Sequence, residues 1–272
     1  MQSEHLNIHV VQFSPEWGEI DATLDKLEMM IRGGAIRAPQ ADDAPQLIVL
    51  PEMFSTGFKF RSHLAETMEG KTVQWMKRMA GSLNSAIYGS ALIGENGKTY
   101  NRGMFVYPDG NIIQYDKAHL FCLSDEPQHI TPGTNVVTAE YAGWRLRLSI
   151  CYDLRFPIWN RNTFKDGIYD YDVYMNIASW DDSRAHVWRT LLHARAIENM
   201  AYTIGANRVG VDGDNYTYRG DSMVIDAKGT AIGMSNPNEE QIISVQLNKT
   251  LLTQFRQKFC VATDWDTYEI TG

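Results

Sequence analysis

A chain of 272 residues with 44% hydrophobic and 21% charged residues has the composition of a folded globular protein, long enough to bury one large α/β core or two small ones. A formal charge of -8 and a pI near 5.4 leave no basic cluster to displace counterions from phosphates. That argues against nucleic acid or an anionic membrane as partner and for a small molecule. Three cysteines without a Cys-x-x-Cys pair make neither a disulfide framework nor a zinc ribbon. No basic-then-apolar leader opens the chain, and no stretch reaches the roughly 20 apolar residues of a membrane span, so the expected location is the reducing cytoplasm.

In chain order, the alternation over residues 6–13 predicts a strand, and Leu24, Leu27 and Ile31 on one face of 20–32 predict a helix closed by Gly33-Gly34. A polar loop over 38–45 leads to Leu47-Ile48-Val49-Leu50, an apolar run suited to a strand buried on both faces, which stops at Pro51-Glu52. Helical spacing returns over 72–83 and strand character over 86–93. Strands at 100–107 and 112–115 flank Pro108-Asp109-Gly110-Asn111, the chemistry of a hairpin turn. The long irregular loop from Asp116 to Gly133 has a length that usually signals function. Residues 135–141 and 144–150 predict a strand pair; 173–177 a strand; 187–199 a helix; and 202–206 a strand. A hairpin of 222–225 with 231–233 and a strand over 242–247 complete the set. Strands and helices interleave without linker or repeat, which predicts one α/β domain over 1–272 with mixed sheets. The tail, 249–272, carries Trp265, Tyr268 and Ile270, and is expected to dock on a partner subunit.

Three side chains with chemistry stand just beyond predicted strands: Glu52, Lys117 and Cys151. Leu146, Leu148 and Ile150 alternate with polar neighbours, so Cys151 falls where the strand turns into a loop. A thiol is mostly protonated at neutral pH and needs a base, for which Glu52 is the candidate. Attack on an amide carbonyl creates an oxyanion, which Lys117 and the backbone N–H of Tyr152 are placed to hold. Taken singly, each residue has an ordinary structural reading: a core thiol, a helix cap, a solvated charge.

The segments Leu50-Pro51-Glu52-Met53-Phe54, Tyr115-Asp116-Lys117-Ala118-His119-Leu120-Phe121 and Cys151-Tyr152-Asp153-Leu154-Arg155-Phe156-Pro157 resemble the three catalytic blocks of the carbon-nitrogen hydrolase (nitrilase) superfamily. Arg195-Ala196-Ile197-Glu198-Asn199, Asn207-Arg208-Val209-Gly210 and Gly220-Asp221-Ser222 resemble its later blocks. The resemblance implies a four-layer αββα sandwich, a Glu52-Lys117-Cys151 triad with no metal or organic cofactor, and a homodimer or higher oligomer packed sandwich on sandwich. The family's second glutamate falls on Glu126 by its distance from Pro132-Gly133. Asn176-Ile177-Ala178-Ser179-Trp180 and Leu191-Leu192-His193-Ala194-Arg195-Ala196 are most similar to the omega-amidase branch, which frees ammonia from 2-oxoglutaramate or 2-oxosuccinamate. Such a substrate carries a carboxylate, for which Arg184 is the expected clamp, with Trp180 and Phe54 as walls. Arg155 and Asp153 are expected to form an ion pair that holds the turn after the cysteine. Three rival readings stand beside this one: an N-carbamoyl-amine or aliphatic amidase with the same triad, a metal-dependent phosphodiesterase using Asp153, Asp172 and histidines, and a non-enzymatic binding module that keeps the fold, against which the intact triad counts.

Overall fold

Strands that are apolar on both faces need a layer on each side, and helices with one apolar stripe supply the outer layers. The computed structural model describes residues 3–34, 36–40 and 43–270. Met1 and Gln2, Ala35, residues 41 and 42 of the proline-containing loop, and the last two residues of the tail lie outside it. The first half runs β1 (His5–Gln12), α1 (Ile20–Gly33), β2 (Gln46–Val49), α2 (Lys71–Leu83), β3 (Ala86–Glu95), β4 (Lys98–Val106), β5 (Ile112–Asp116) and the single turn α3 (Glu126–His129). The second half begins with β6 (Thr138–Tyr141), β7 (Trp144–Ile150), the two-residue strands β8 (Phe164–Lys165) and β9 (Ile168–Tyr169), β10 (Val173–Ala178) and α4 (Ala185–Asn199). It continues with β11 (Tyr202–Asn207), β12 (Val209–Val211), β13 (Thr217–Arg219), β14 (Met223–Ile225), β15 (Ala231–Met234), β16 (Gln241–Asn248) and α5 (Lys249–Lys258).

These strands form two six-stranded sheets, ordered β16-β1-β2-β3-β4-β5 and β15-β14-β11-β10-β7-β6. Each has a parallel centre, β1-β2-β3 in one and β7-β10-β11 in the other, with antiparallel edges. Leu6, Ile8, Val10 and Val49 of the first sheet share one buried core with Leu146, Leu148, Ile150 and Ile204 of the second. On the outer face of the first sheet, Leu24, Leu27 and Ile31 of α1 and Val73, Met76 and Met79 of α2 pack on Val11, Ile48 and Ile87. On the second sheet α4 lies so close that a Cβ at Gly205 of β11 would meet Leu192 at 2.4 Å and Trp188 at 2.8 Å. Only glycine permits that approach. The result is the four-layer αββα sandwich, with both parallel centres ending near the same side-chain cluster.

The helix α5 and the ribbon β12-β13 go beyond the strand and helix pattern read from sequence. The α5 helix starts where Asn248 accepts a hydrogen bond from the Leu251 N–H, 2.8 Å, a side-chain cap. It packs on its own chain. Arg256, 8% exposed, donates to the carbonyls of Met200 (2.8 Å) and Tyr171 (2.9 Å) and to Asp172 (3.1 Å). Lys249 completes the pair on Asp172 at 2.9 Å. Further along the tail, the Trp265 ring lies 4.2 Å from the Arg161 guanidinium, and the Tyr268 hydroxyl donates to the Arg161 carbonyl at 2.9 Å. Two of the three side chains expected to seek a partner are thus seated within the chain; Ile270 is exposed.

Asp172→Ala leaves the buried Arg256 without its carboxylate, and removing one partner of such a pair costs about 3–5 kcal/mol. The unfolding free energy from urea titration is expected to fall by that amount, read as a lower midpoint with the slope unchanged; an unaltered midpoint would show that α5 is anchored elsewhere.

Candidate active site

Glu52 follows β2 by way of Leu50 and Pro51, in a turn whose next residue, Met53, has φ of 44°. The Met53 N–H donates to Ser90 Oγ on β3 at 2.8 Å, which fixes the turn to the sheet. Lys117 leaves β5 with its N–H donating to the Asn101 carbonyl on β4, 3.0 Å, and its carbonyl accepting from the Gly133 N–H, 2.9 Å. A Cβ at Gly133 would lie 2.1 Å from the Asp116 carbonyl oxygen, so the long loop closes on Lys117 only through a glycine. Glu126 opens the turn α3, and Cys151 stands at the end of β7 with φ of 47°. A left-handed backbone is strained for a residue with a Cβ and persists where the surroundings hold it.

What holds it is Asp153. Its carboxylate accepts from the Ile150 N–H (3.0 Å), the Tyr115 hydroxyl (2.6 Å) and the His119 N–H (2.9 Å), with His119 Nδ1 at 2.8 Å. The expected ion pair between Asp153 and Arg155 is not formed. Asp153 is fully buried and turned inward, whereas Arg155 points the other way and lies over the Trp180 ring at 5.1 Å. One carboxylate therefore joins the segment that carries Lys117 to the turn that carries Cys151.

Lys117 Nζ sits between two carboxylates, 2.9 Å from Glu52 Oε1 and 2.9 and 2.8 Å from the two oxygens of Glu126. The side chains of all three are withdrawn from solvent. Glu52 also accepts from Asn101 Nδ2 and from the Ser179 N–H, each at 2.8 Å, and Glu126 from the Phe121 N–H at 2.7 Å. Burial by itself lowers the Lys117 ammonium, but the charges of Glu126 and Glu52 outweigh it and raise the group well above the ordinary lysine range. Burial lifts the Glu126 carboxyl above its usual value against the pull of Lys117. Burial, and then the charge of Glu52, push the Cys151 thiol far up, with Lys117 opposing. At neutral pH the ammonium keeps its proton, and so does the thiol until a base removes it.

Cys151 and Ser179 floor a cavity of about 510 Å³. Its walls include Phe58, Phe121, Tyr152, Trp180, Tyr216 and Tyr218, and two guanidiniums, Arg155 and Arg184, reach it. Arg184 lies over the Phe121 ring at 5.2 Å, with Asp181 only loosely paired at 3.8 Å. Glu52, Lys117, Glu126 and Cys151 thus come together as expected, with Tyr152, Trp180 and Arg184 at the cavity. Phe54 does not reach it. That ring is fully buried in the outer core, 5.9 Å from Trp75 and against Gly89, because its own N–H is tied to the Ser90 carbonyl on β3. Phe58, whose ring lies 5.2 Å from Lys117 Nζ, takes the place foreseen for it. Asp153 and Asp172, the proposed metal ligands of the rival phosphodiesterase, serve the cysteine turn and α5 instead. Among the described residues no group of three or more His, Cys, Asp or Glu side chains is arranged to hold a metal ion.

Missed by sequence reasoning were Asn101, Arg155 as a cavity residue and the β12-β13 ribbon. Asn101 was detectable, since the register set by the Asp109-Gly110 turn pairs Arg102 with Asp116 and so brings Asn101 alongside Lys117.

A fold of two such sheets, with a thiol on a cavity floor and a buried acid and amine beside it, can support nucleophilic hydrolysis. The carbon-nitrogen hydrolase family model matches residues 7–257, and the chain belongs to that family. It is 36% identical over 265 residues to the omega-amidase YafV of Escherichia coli (strain K12), covering 97% of this chain and 98% of that protein. It is 30% identical over 262 residues to the 2-oxoglutaramate amidase of Bacillus subtilis (strain 168), covering 94% and 96%. The crystal structure of XC1258 from Xanthomonas campestris, a CN-hydrolase superfamily protein with an arsenic adduct in its active site, superposes with a TM-score of 0.93 at 34% identity, covering 99% of this chain and 100% of that one.

Gly133→Ala would force the Asp116 carbonyl aside and with it the start of Lys117. Stability is expected to fall by about 1–3 kcal/mol, as for other overpacked sites, and amide turnover by about 10²-fold from misplacement of the amine. Denaturation and turnover measured on the same preparation check this; intact turnover would break the link between the glycine and Lys117.

Proposed function

We propose that the protein is an omega-amidase that hydrolyses the side-chain amide of 2-oxoglutaramate or 2-oxosuccinamate through a thioester on Cys151. The observation that carries this reading is the ammonium of Lys117 locked between Glu52 and Glu126 beside a buried thiol. A lysine held in its charged form does not act as a base, so the proton of Cys151 goes to Glu52. The thiolate adds to the amide carbon. The carbonyl oxygen takes the negative charge, and Lys117 Nζ with the Tyr152 N–H stabilises it, each such donor contributing about 3 kcal/mol. Glu52 returns the proton to the amide nitrogen, the C–N bond breaks and ammonia leaves. Water then gives a proton to Glu52 as its oxygen adds to the thioester carbon; the C–S bond breaks, the 2-oxo diacid leaves, and the sulfur takes the proton back from Glu52, which restores the thiol and the carboxylate. Glu126 holds Lys117 in place with both of its oxygens.

The substrate class is supported by the cavity and by the names of the two relatives. Arg184 and Arg155 present cations on the walls above the cysteine, where the carboxylate of a 2-oxo acid amide would lie. A carbamoyl amine or a simple aliphatic amide has no carboxylate to use them. The three cysteines are free, which supports a reducing, cytoplasmic setting. Among the described residues no helix is long and apolar enough to cross a membrane. Exposed Ile197 on α4, Met234 on β15, Leu251 on α5 and Phe259 beyond it support association with a second copy, in which the tail takes part.

Cys151→Ala is expected to abolish ammonia release with the fold intact, and Glu52→Gln to lower kcat by at least about 10³-fold. Ammonia assayed across omega-amides, carbamoyl amines and nitriles tests the class; preferential turnover of a carbamoyl amine would replace the substrate proposed here. Arg184→Met and Arg155→Met should each raise KM for 2-oxoglutaramate by about tenfold to a hundredfold, the range of a charge-assisted hydrogen bond, and leave a neutral amide such as butyramide unaffected. Equal effects on both amides would remove the arginines from carboxylate binding.

A further inference from the structure

Asn101 lies on β4 with no exposed surface, and it touches three of the four charged or nucleophilic side chains' segments at once. Its backbone carbonyl accepts from the Lys117 N–H at 3.0 Å. Its side-chain nitrogen donates to Glu52 Oε1 at 2.8 Å and makes a longer contact, 3.5 Å, with Glu126 Oε1. Because ionised carboxylates only accept hydrogen bonds, the amide nitrogen must be the end that faces them. The cost falls on the other end: Asn101 Oδ1 is buried and has no hydrogen-bond partner among the described residues. An asparagine kept for packing or for the sheet would satisfy its oxygen first. Here the side chain is oriented by the carboxylates.

We infer that Asn101 is a positioning residue of the hydrolysis, one that aims the Glu52 carboxylate at Cys151 and ties it to the segment carrying Lys117. This rests on the roles proposed above for Glu52, Lys117 and Cys151. The same oxygen of Glu52 receives both Lys117 and Asn101, while its other oxygen receives the Ser179 N–H. With the amide removed, Oε1 keeps only the ammonium, which Glu126 also holds with both oxygens. The carboxylate is then free to rotate about its remaining contacts. A hydrogen bond donated to a carboxylate favours its ionised form, so a variant without the donor is expected to need a higher pH for the same activity. The other titratable groups that act on this cluster are Lys117 after β5, Glu126 on α3, Cys151 after β7, Tyr88 on β3 and Tyr218 on β13.

The test uses Asn101→Leu, close in shape and without a donor, and Asn101→Ala in case the leucine disturbs folding; both keep the backbone carbonyl that holds Lys117. Two pH profiles are recorded on the full chain: kcat/KM for ammonia release from 2-oxoglutaramate, and the rate at which iodoacetamide alkylates Cys151, followed by peptide mass because Cys122 and Cys260 are exposed. The expected result is a kcat about tenfold to a hundredfold lower with KM little changed, and an acid limb moved up by about one pH unit in both profiles. A folded variant whose acid limb stays in place, or whose loss lies in KM alone, overturns the inference and leaves Asn101 a structural residue. Failure of the wild-type chain to release ammonia from any amide would instead overturn the omega-amidase reading. The alkylation profile, which needs no substrate, still decides the role of Asn101 in that case.

Discussion

An ammonium buried between two carboxylates is the interaction around which this molecule is built. Lys117, Glu52 and Glu126 have no access to water, and taking three charges out of solvent is costly unless each is fully partnered. The fold meets that condition with backbone N–H groups from Phe121 and Ser179 and the amide of Asn101. Two negative charges against one positive charge also leave the cluster unwilling to accept a third anion. That explains why the thiol beside it is held in its protonated form.

The second requirement is to bring segments from distant parts of the chain to one floor, and the parallel centres of the two sheets do most of it. β2 delivers Glu52, β7 delivers Cys151 and β10 delivers Ser179, each just past a strand's end. Lys117 comes from an antiparallel edge and needs other ties, which are the Asn101 carbonyl, Gly133 and Asp153. Asp153 bonds simultaneously to the residue before the cysteine and to the residue two past the lysine. The strained backbone at Cys151 is thereby held by the same group that positions the amine's segment.

The sequence made much of this legible for a physical reason. Strand ends are marked by the break in alternation, so the placement of Glu52, Lys117 and Cys151 followed from periodicity, and the quoted blocks carried the fold and Glu126. Side-chain direction was less accessible. Phe54 and Phe58 are both aromatic, four residues apart and in the same turn-rich stretch, yet one enters the outer core and the other the cavity. Asp153 and Arg155 have opposite charge and near neighbourhood, yet the former has four better partners inside and the latter an aromatic face outside. Such choices depend on tertiary partners that spacing along the chain does not encode. The α5 helix was obscured differently: its apolar residues are few, with Leu252 buried and Leu251 exposed, and Arg256 supplies much of its anchorage.

One wall of the cavity is made by the β12-β13 ribbon, which belongs to neither large sheet. Its tip is braced from within, with Asp212 accepting from the N–H groups of Asp214 and Tyr216 and from the Tyr218 hydroxyl, and Gly213 packs it on the Trp17 ring. Its root is tied to the Phe13 carbonyl by the Val209 N–H. The wall therefore adds to the cavity without taking part in the pairing of either large sheet. Lengthening or rewriting its tip would reshape the opening while every register of the two sheets, and the charged floor below, stayed as they are, so that breadth of substrate and chemistry of cleavage are free to diverge along separate lines.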